Sequence, residues 1–588
     1  MKLWNHYEEK LEIMRNILFY LTFSFIFIVS SCTSDFDEIN TKPDALTAAD
    51  VSAKFFVTNT QLGIFAPNRY PYWRGPLIHA DRFSGHTAFG YKSNWWSDGL
   101  GYTYSGGYTG AVWGWMSGYN SSLTSFTNFV KAGGTLENDK FEAIALIMKG
   151  LYYQKYTDTF GMVPYTEASN PDITTPKFDD QKVIYEGVIA DLDKAITIIG
   201  SATTTGEGPQ LLGDNDLFFK GNLQDWKALA NSLKLKMALR GHGAGPAPVT
   251  DYSAHVTAAA SGVLATKDAV LPRDIEISQW SSAVYGDIWH NFYGGGRWHL
   301  GSKLADVLRA NNDPRLTKIA RPIEGAGKTF TLTKPASGSN VALYPTHTAF
   351  VVNHLKDSGV DVTEGTDASG NVTLTLGAGP YYVGQPVRTN GKIKPFLFAD
   401  LWSRPSDYVV QKKNEGKPIA PQIIHTAAES HFLLAQATVL GVLSGVDAQT
   451  HYQNGIKHSM RMWGVTDADA ATYIANEAMA KLDGTTEQKL EKIATQRWVA
   501  YYTEGYEAWA IVRDTGYPVV YKNANGTGYS ATNTVSDSDI FELGNLDGAY
   551  PQRMRYGSDA YNKNNANTEA ANAAQGADTQ KTKLWWAK

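Results

Sequence analysis

The sequence predicts a mainly α-helical protein in which helical hairpins form a scaffold with a loop-rich face and a small β-hairpin insertion. Apolar residues recur every three or four positions in segments of both halves of the chain, as on one face of a helix. An alternating apolar and polar pattern, typical of strands, is confined to residues 326–395. Two segments rich in aromatic residues fit neither period, which indicates loops.

The predicted helices follow one another along the chain. Residues 137–156 carry a clear helical face, Val183–Ile199 repeats it and stops at Gly200, and Trp226–Arg240 stops before Gly241. Further helical faces lie at Ile424–Leu440, Ala448–Met460 and Leu490–Ile511. Short turns pair these helices, which favours a solenoid of hairpins, although no strict period near 34 residues is present.

Two segments depart from this helical pattern. The stretches Thr329–Thr333 and Val372–Leu376 alternate Thr with apolar residues, and they predict a β-hairpin insertion over about 326–395. The segment Asn562–Gly576 is rich in Asn and Ala and has few large apolar residues, so residues 567–588 are predicted to be a loosely held tail. The helical domain itself is expected to span residues 51–566.

Composition excludes several classes of protein. With 588 residues, 43% of them hydrophobic, the chain can build a large core. Its 53 basic and 58 acidic residues give a net charge of −5 without a basic stripe, so nucleic acid is not expected as a partner. A single cysteine rules out an internal disulfide and any multi-cysteine metal cluster.

That cysteine, Cys32, follows a secretory signal. Lys10 and Arg15 precede the apolar run Ile17–Val29, which is too short for a membrane span, and the small pair Ser30-Ser31 follows it. Residues 1–31 are therefore predicted to be a signal peptide, starting at Met1 or Met14. Cys32 is predicted to be the lipidated first residue of the mature protein, with residues 32–50 as a tether to the membrane.

Aromatic residues supply the candidate ligand site. The segment 65–119 holds fifteen of them, and a second group surrounds the Gly-rich run 294–296 within the loop 276–300. Flat aromatic faces pack on the C–H faces of sugar rings, while amides and carboxylates at the edge bind the hydroxyl groups. These aromatic residues could instead cover the helices below them. The candidate platform residues are Trp73, Trp95, Trp96, Tyr102, Tyr104, Trp289 and Trp298.

No catalytic motif competes with this interpretation. The sequence contains neither a serine nucleophile elbow, nor His-Glu-x-x-His, nor a phosphate-binding loop, nor a calcium loop of the helix-loop-helix type. His290 and His299 lie near the second aromatic group, but isolated histidines more often make structural hydrogen bonds. No enzyme activity and no cofactor are expected, and a structural calcium site cannot be placed from the sequence.

Several motifs resemble those of one family. The chain reads Tyr-Thr-Asp-Thr-Phe-Gly-Met-Val-Pro-Tyr-Thr-Glu-Ala from Tyr156, with Pro176, Phe178-Asp179, Gln181 and Tyr185 after it. Similar motifs follow in order: Asp216–Gly221, Trp226–Leu235, Asp313–Leu316, Ala428–Gln436, Tyr452–Ile456, Gln496–Trp498, Glu507–Trp509, Arg513–Pro518 and Arg553–Tyr556. Over residues 36 to about 566 the chain resembles the SusD/RagB family of Bacteroidetes nutrient-binding lipoproteins, in its SusD-like branch.

The resemblance implies a tetratricopeptide-like scaffold and a role in nutrient uptake. Members of this family sit as a lid over a SusC-type TonB-dependent β-barrel transporter in the outer membrane, and the acidic run after Cys32 resembles their surface-export tag. The motif residues Pro164, Trp226, Trp498 and Trp509 are expected to be packed in the scaffold. Gln436 replaces a common Glu, and Asp514 a common Arg, which we interpret as local changes of ion pairing.

The sequence does not identify the ligand. The Trp- and Gly-rich loops favour an oligosaccharide or polysaccharide, bound at the cell surface and passed to the transporter. A RagB-like protein that captures peptides is the first alternative, since peptide grooves favour mixed apolar pockets. The second alternative is a structural transporter lid without a ligand of its own.

Overall fold

The fold is given by a computed structural model, which describes residues 52–66, 73–89, 106–272, 298–338, 340–410, 419–520, 537–541, 546 and 549–588. Residues Ala53–Lys588 form one compact unit. None of the helices in these ranges is both long and apolar enough to cross a membrane.

The described chain is mainly helical, as predicted. Helices of eight residues or more are numbered here in chain order: α1 (Lys54–Phe65), α2 (Gly106–Val130), α3 (Asp139–Phe160), α4 (Gln181–Ile199), α5 (Leu223–Gly241), α6 (Ser253–Ala260), α7 (Ser302–Ala310), α8 (Asn340–Asp357), α9 (Ala427–Val439), α10 (Ala448–Met462), α11 (Asp467–Asn476), α12 (Thr486–Ala500), α13 (Gly505–Thr515) and α14 (Ser558–Gln575). A π-helix spans Trp73–Ala80, directly followed by the helical turn Asp81–Phe83.

The strands are short. They are β1 (Thr87–Phe89), β2 (Ala269–Leu271), β3 (Trp298–Leu300), β4 (Thr329–Leu332), β5 (Val362–Thr366), β6 (Val372–Leu376) and β7 (Gln422–His425). In the described ranges β1 pairs with β3, β2 pairs with β7, and β4, β6 and β5 form a sheet in that order. All of these pairs are antiparallel.

Local signals explain where the helices begin and end. The Asn138 side chain accepts hydrogen bonds from the backbone N–H groups of Lys140 and Phe141, which caps the start of α3. Helix α4 ends before Gly200, whose φ of 52° lies in the left-handed region that glycine tolerates best. A capping box of Thr485 and Gln488 starts α12.

The helices pack in sequence-adjacent pairs. Helices α3, α4, α5 and α6 pack each against the next, α9 packs against α10 and α12, and α12 packs against α13. Helix α5 also contacts α9, which joins the two helical groups. This arrangement agrees with the predicted scaffold of helical hairpins.

Two predicted helices have different bounds. The segment Ile424–Leu440 begins with strand β7 and becomes helical at Ala427, where the Thr426 side chain caps α9. The segment 490–511 contains two helices, α12 and α13, separated by residues 501–504. Their apolar faces continue one another, so periodicity alone did not reveal the break.

The insertion forms a second core of its own. The two stretches predicted as strands are β4 and β6, which pair directly, but the sequence-adjacent hairpin is formed by β5 and β6, and β5 was not predicted. The sequence interpretation missed α8, which lies between β4 and β5 and buries Phe350, Val351 and Leu355 in this second core.

The prediction of a loosely held C-terminal tail is wrong. Residues 567–588 are not a loosely held tail, because α14 continues to Gln575 and the last residues return to the core. Leu584 and Trp586 are buried, and the Trp586 indole N–H donates to Asp158 over 2.8 Å. Polar side chains hold α14 in place, since the Asn564 amide donates to the Pro176 carbonyl and the Gln575 amide to the Tyr556 hydroxyl, so a composition rich in Asn did not indicate a loose tail.

The family-like motifs are scaffold, as expected. Trp226, Trp498 and Trp509 are fully buried, while Pro164 lies half-buried in the turn after α3. The Asp216 carboxylate explains one motif: it accepts hydrogen bonds from the backbone N–H groups of Phe218, Phe219 and Gly221 and from the side chains of Gln61 and Trp226.

Candidate functional site

A short antiparallel sheet joins the two aromatic segments of the sequence. Strand β1 pairs with β3 so that Thr87 faces Leu300, Ala88 faces His299 and Phe89 faces Trp298. Phe89 directly precedes the undescribed residues 90–105, and Trp298 directly follows the undescribed residues 273–297. The two aromatic segments therefore meet at Phe89 and Trp298, although these two residues are more than 200 positions apart in the sequence.

Helix α12 holds this sheet in place. The His86 ring lies against Trp498, with its Nε2 2.9 Å from the Trp498 carbonyl oxygen, and the Trp498 indole donates to the Ser84 carbonyl over 2.8 Å. The backbone N–H of Gly301 donates to the carbonyl of His86 over 2.9 Å. A Cβ at Gly301 would lie 2.0 Å from the Gly85 carbonyl oxygen, so only glycine permits this approach.

Further segments converge on the same sheet. Gln385 forms a parallel bridge with Gly301, and its side-chain oxygen lies 2.5 Å from Nδ1 of His299. Val520, the last described residue before 521–536, packs at Gly85. We call His86, Thr87, His299, Ser302 and Gln385 the loop base.

The two histidines of the loop base are neutral at physiological pH. Burial lowers the pKa of His86 to about 3 despite its hydrogen bond to the Trp498 carbonyl. Burial lowers the pKa of His299 to about 3 as well, against the opposing effect of Gln385. These rings therefore position the backbone and do not supply charge to a ligand.

The loop base is rich in buried hydrogen-bonding atoms. Five of these atoms have no protein partner in the described part of the chain: His86 Nδ1, Thr87 Oγ1, His299 Nε2, Ser302 Oγ and Gln385 Nε2. Buried polar atoms of this kind are normally satisfied by ordered water or by ligand groups. The base of the aromatic segments can thus form several further hydrogen bonds, with Gln385 Nε2 as a donor and the two histidine nitrogens as acceptors.

Two predicted platform residues are buried. Trp298 is fully buried, and Trp73 is 8% exposed, with its ring 5.6 Å from that of Tyr108 and 5.2 Å from the Arg74 guanidinium. The expectation of an exposed stacking face is wrong for both, because the strand pairing and the π-helix turn these indoles into the core. The other predicted residues, Cys32, Trp95, Trp96, Tyr102, Tyr104 and Trp289, lie outside the described ranges.

A wide cleft of about 720 Å³ lies between α7, α12 and the segment after α13. Among the described residues, its walls combine charged, amide and aliphatic side chains and contain no aromatic ring. The cleft opens near the loop base, because two of its lining residues directly follow or precede segments that form this base. Lys303 comes shortly after β3, and Val519 precedes Val520, which packs at Gly85. The lining residues are Lys303, Val307, Met479, Asp483, Gly484, Gln488, Glu491, Lys492, Thr495, Pro518 and Val519.

Most residues of the loop base could not be identified as a group from the sequence. His299 drew attention only through the neighbouring tryptophans, and nothing linked it to His86 or Gln385, which are far away in the sequence. Among the described residues, no group of three or more His, Cys, Asp or Glu side chains is arranged to hold a metal ion.

Comparison with known structures supports the fold. A chitin-binding protein is 21% identical, with a TM-score of 0.65, and the match covers 91% of this chain and all of that one. A SusD-like protein from Bacteroides thetaiotaomicron is 22% identical, with a TM-score of 0.64, over 91% of this chain and 98% of that one. A SusD homologue from Bacteroides uniformis is 20% identical, with a TM-score of 0.65, over 91% and 99%.

Comparison of the sequence with family models gives the decisive match. Residues 51–346 and 389–535 match a SusD-like family described as starch-binding and associating with the outer membrane. Comparison with curated proteins gives no significant match. The family match includes α12, both strands of the loop base and most of the helical scaffold. Because it covers well over half of the sequence, the chain belongs to the SusD-like family.

Proposed function

We propose that this protein is a cell-surface lipoprotein that captures an oligosaccharide and passes it to a SusC-type TonB-dependent transporter in the outer membrane. The observation that carries the proposal is the pairing of Phe89 with Trp298, which gives two aromatic-rich segments a common base. The family description, starch-binding and associating with the outer membrane, supports the same function. Catalysis is not part of the proposal.

Binding is proposed to occur on the aromatic segments, not in the scaffold. Trp95, Trp96, Tyr102, Tyr104 and Trp289 would offer ring faces to the sugar, with polar side chains at the edge. A shallow site of this type binds weakly, with a Kd from roughly micromolar to millimolar, or about −8 to −4 kcal/mol. Weak binding suits capture followed by release.

The first experiment measures ligand binding directly. The chain from residue 33 onwards, which contains the whole compact unit Ala53–Lys588, would be tested against starch, chitin oligosaccharides, other glycans and peptides by affinity electrophoresis and calorimetry. Replacement of both Trp95 and Trp96 by Ala should abolish glycan binding. Phe55→Ala, which removes a 58% exposed aromatic ring from α1, is the matched control and should leave binding unchanged.

The alternatives predict different results in the same experiment. A peptide-capturing protein would bind peptides and no glycan, and the aromatic-free cleft near the loop base would suit such a ligand. A structural lid would bind neither, and the Trp95→Ala/Trp96→Ala variant would lose its complex with the transporter. Either result would overturn glycan capture.

The membrane anchor has a separate test. Cys32→Ala in the full-length protein should abolish acylation, as measured by mass spectrometry, and move the protein from the membrane to the soluble fraction. Unchanged membrane association of this variant would overturn the proposed anchor. Co-purification of the wild-type lipoprotein with a TonB-dependent β-barrel would test the transporter partner.

A further inference from the structure

Three histidines cluster on the helical scaffold, away from the loop base. His431 lies on α9, and His451 and His458 lie two turns apart on α10. The His431 ring lies between the other two, with centroid distances of 5.0 Å to His451 and 5.4 Å to His458. His431 lies within the family-like motif Ala428–Gln436, whereas His451 and His458 lie outside the motifs, and the cluster is not part of the candidate glycan site.

The two helices approach closely at this point. Gly455 faces Phe432, and a Cβ at Gly455 would lie 2.5 Å from the Phe432 ring. The absence of that Cβ lets α10 lie against α9, so the histidines on either side of Gly455 reach His431. The close approach of His451 and His458 to His431 is therefore fixed by the core of the α9–α10 hairpin.

The ring nitrogens of His431 and His451 face each other. Nδ1 of His431 lies 2.8 Å from Nδ1 of His451, and Nε2 of His431 lies 3.1 Å from the carbonyl oxygen of Ala265. The carbonyl can only accept, so Nε2 of His431 carries the proton and its Nδ1 presents a lone pair. A backbone carbonyl that orients the second ring nitrogen is the usual support of a metal-binding histidine.

We propose that His431 and His451 form a two-imidazole binding site for a divalent transition-metal ion such as Zn²⁺ or Cu²⁺. Two Zn–N bonds of about 2.0–2.1 Å at a tetrahedral angle place the nitrogens about 3.3 Å apart, so the pair needs to open by about 0.5 Å and each ring needs to turn by about 35° to point its lone pair at the ion. The proton on Nδ1 of His451 would move to Nε2 of the same ring, which leaves both imidazoles neutral. Imidazole ligands favour Zn²⁺ and Cu²⁺ over Ca²⁺ and Mg²⁺, which prefer oxygen.

The exposure of the two histidines and the charges near them affect how tightly the pair would bind a metal ion. His431 is 7% exposed, whereas His451 is only partly buried, so the ion can enter from the side of α10. The Asp447 carboxylate caps α10 one helical turn before His451, and a negative charge at this position favours a nearby cation. Because the described residues offer no group of three or more ligand side chains, water completes the coordination and the ion remains exchangeable.

Calorimetry tests the proposal on the untagged chain from residue 33 onwards, titrated with ZnCl₂ and, for comparison, CaCl₂. One Zn²⁺ should bind per chain, Ca²⁺ should not bind, and His451→Gln should weaken Zn²⁺ binding at least tenfold. His458→Gln and His255→Gln are the matched controls, because neither side chain belongs to the pair, and both should keep wild-type affinity. The Cu²⁺ complex should show electron paramagnetic resonance splitting from two nitrogen atoms, reduced to one in His451→Gln.

The same measurements can overturn the proposal. No Zn²⁺ binding by the wild-type chain, equal affinity in His451→Gln, or an equal loss in His255→Gln would each exclude the pair as the site. Circular dichroism of His451→Gln checks that the helices are intact, and the exposure of this residue makes folding of the variant secure. His431→Gln provides a second variant, which should lose binding to the same extent.

Discussion

Replacement of Arg497 by Met should destabilise the protein strongly. The guanidinium donates to both carboxylate oxygens of Glu429, over 3.0 and 2.6 Å, and to the side-chain oxygen of Gln436 over 2.8 Å. The side chains of Arg497 and Glu429 are 1% and 0% exposed. Met fills much of the space but leaves Glu429 as a buried carboxylate without its cation, which costs about 3–5 kcal/mol of unfolding free energy.

An exposed pair of the same chemistry supplies the control. Arg461 also binds a carboxylate with two nitrogens, at 2.6 and 3.1 Å from Asp467, but these side chains are 53% and 70% exposed. Water screens that pair and solvates Asp467 after the change. Arg461→Met should therefore cost less than about 1 kcal/mol.

Urea unfolding of the chain from residue 33 onwards measures both variants. Tryptophan fluorescence and circular dichroism should give coincident transitions, which justifies a single free energy of unfolding. The double variant Glu429→Gln/Arg497→Met should be more stable than Arg497→Met alone, because it carries no unpaired buried charge. A cost below about 1 kcal/mol for Arg497→Met, or one equal to that of Arg461→Met, would refute the reasoning.

Three further predictions concern the core, a scaffold motif and the loop base. Trp586→Ala should cost about 3–5 kcal/mol and expose the C-terminal segment to limited proteolysis, because it removes a buried indole and its bond to Asp158; unchanged protection would contradict this role. Asp216→Asn should lower the free energy of unfolding in urea by about 2–3 kcal/mol, because the new amide N–H₂ group would face backbone N–H donors that now bind the carboxylate. Burial lowers the pKa values of His86 and His299 to about 3, so their contribution to stability is complete above the unfolded pKa of 6.5 and is lost as the pH falls towards 3. His299→Asn should reduce this loss by up to about 1.4 kcal/mol per pH unit, measured as unfolding free energy at several pH values, and an unchanged pH slope would contradict it.

The buried charges explain the two departures from the family pattern. Gln436 accepts a hydrogen bond from Arg497, so an uncharged amide here completes the pair of Arg497 with Glu429. Asp514 is buried near Arg240 and Arg497, and burial raises its pKa against the effect of these cations. The sequence predicted local changes of ion pairing at these positions. In the structure Gln436 is bonded to Arg497, and Asp514 is buried within electrostatic reach of the same arginine.

By itself the sequence determined several helices, two strands of the insertion and the family. It missed α8, and its prediction of loops over residues 65–119 is wrong for the π-helix Trp73–Ala80 and for the start of α2. Helical periodicity and end signals such as Asn138 and Gly200 depend only on neighbouring residues, so α3, α4 and α5 could be located closely. Alternation of Thr with apolar residues located β4 and β6, but not β5, which is the sequence-adjacent hairpin partner of β6. The family motifs could be recognised because each spans a few consecutive residues.

Only the tertiary structure decided which distant residues meet. The pairing of Phe89 with Trp298, the burial of Trp73 and Trp298, the return of Trp586 to the core and the contact of His431 with His451 all depend on packing between separate elements. A composition rich in Asn and Ala, or a cluster of tryptophans, is compatible with either a buried or an exposed segment. The free energy of burial depends on the surface that other parts of the chain provide, and a local pattern does not record that surface.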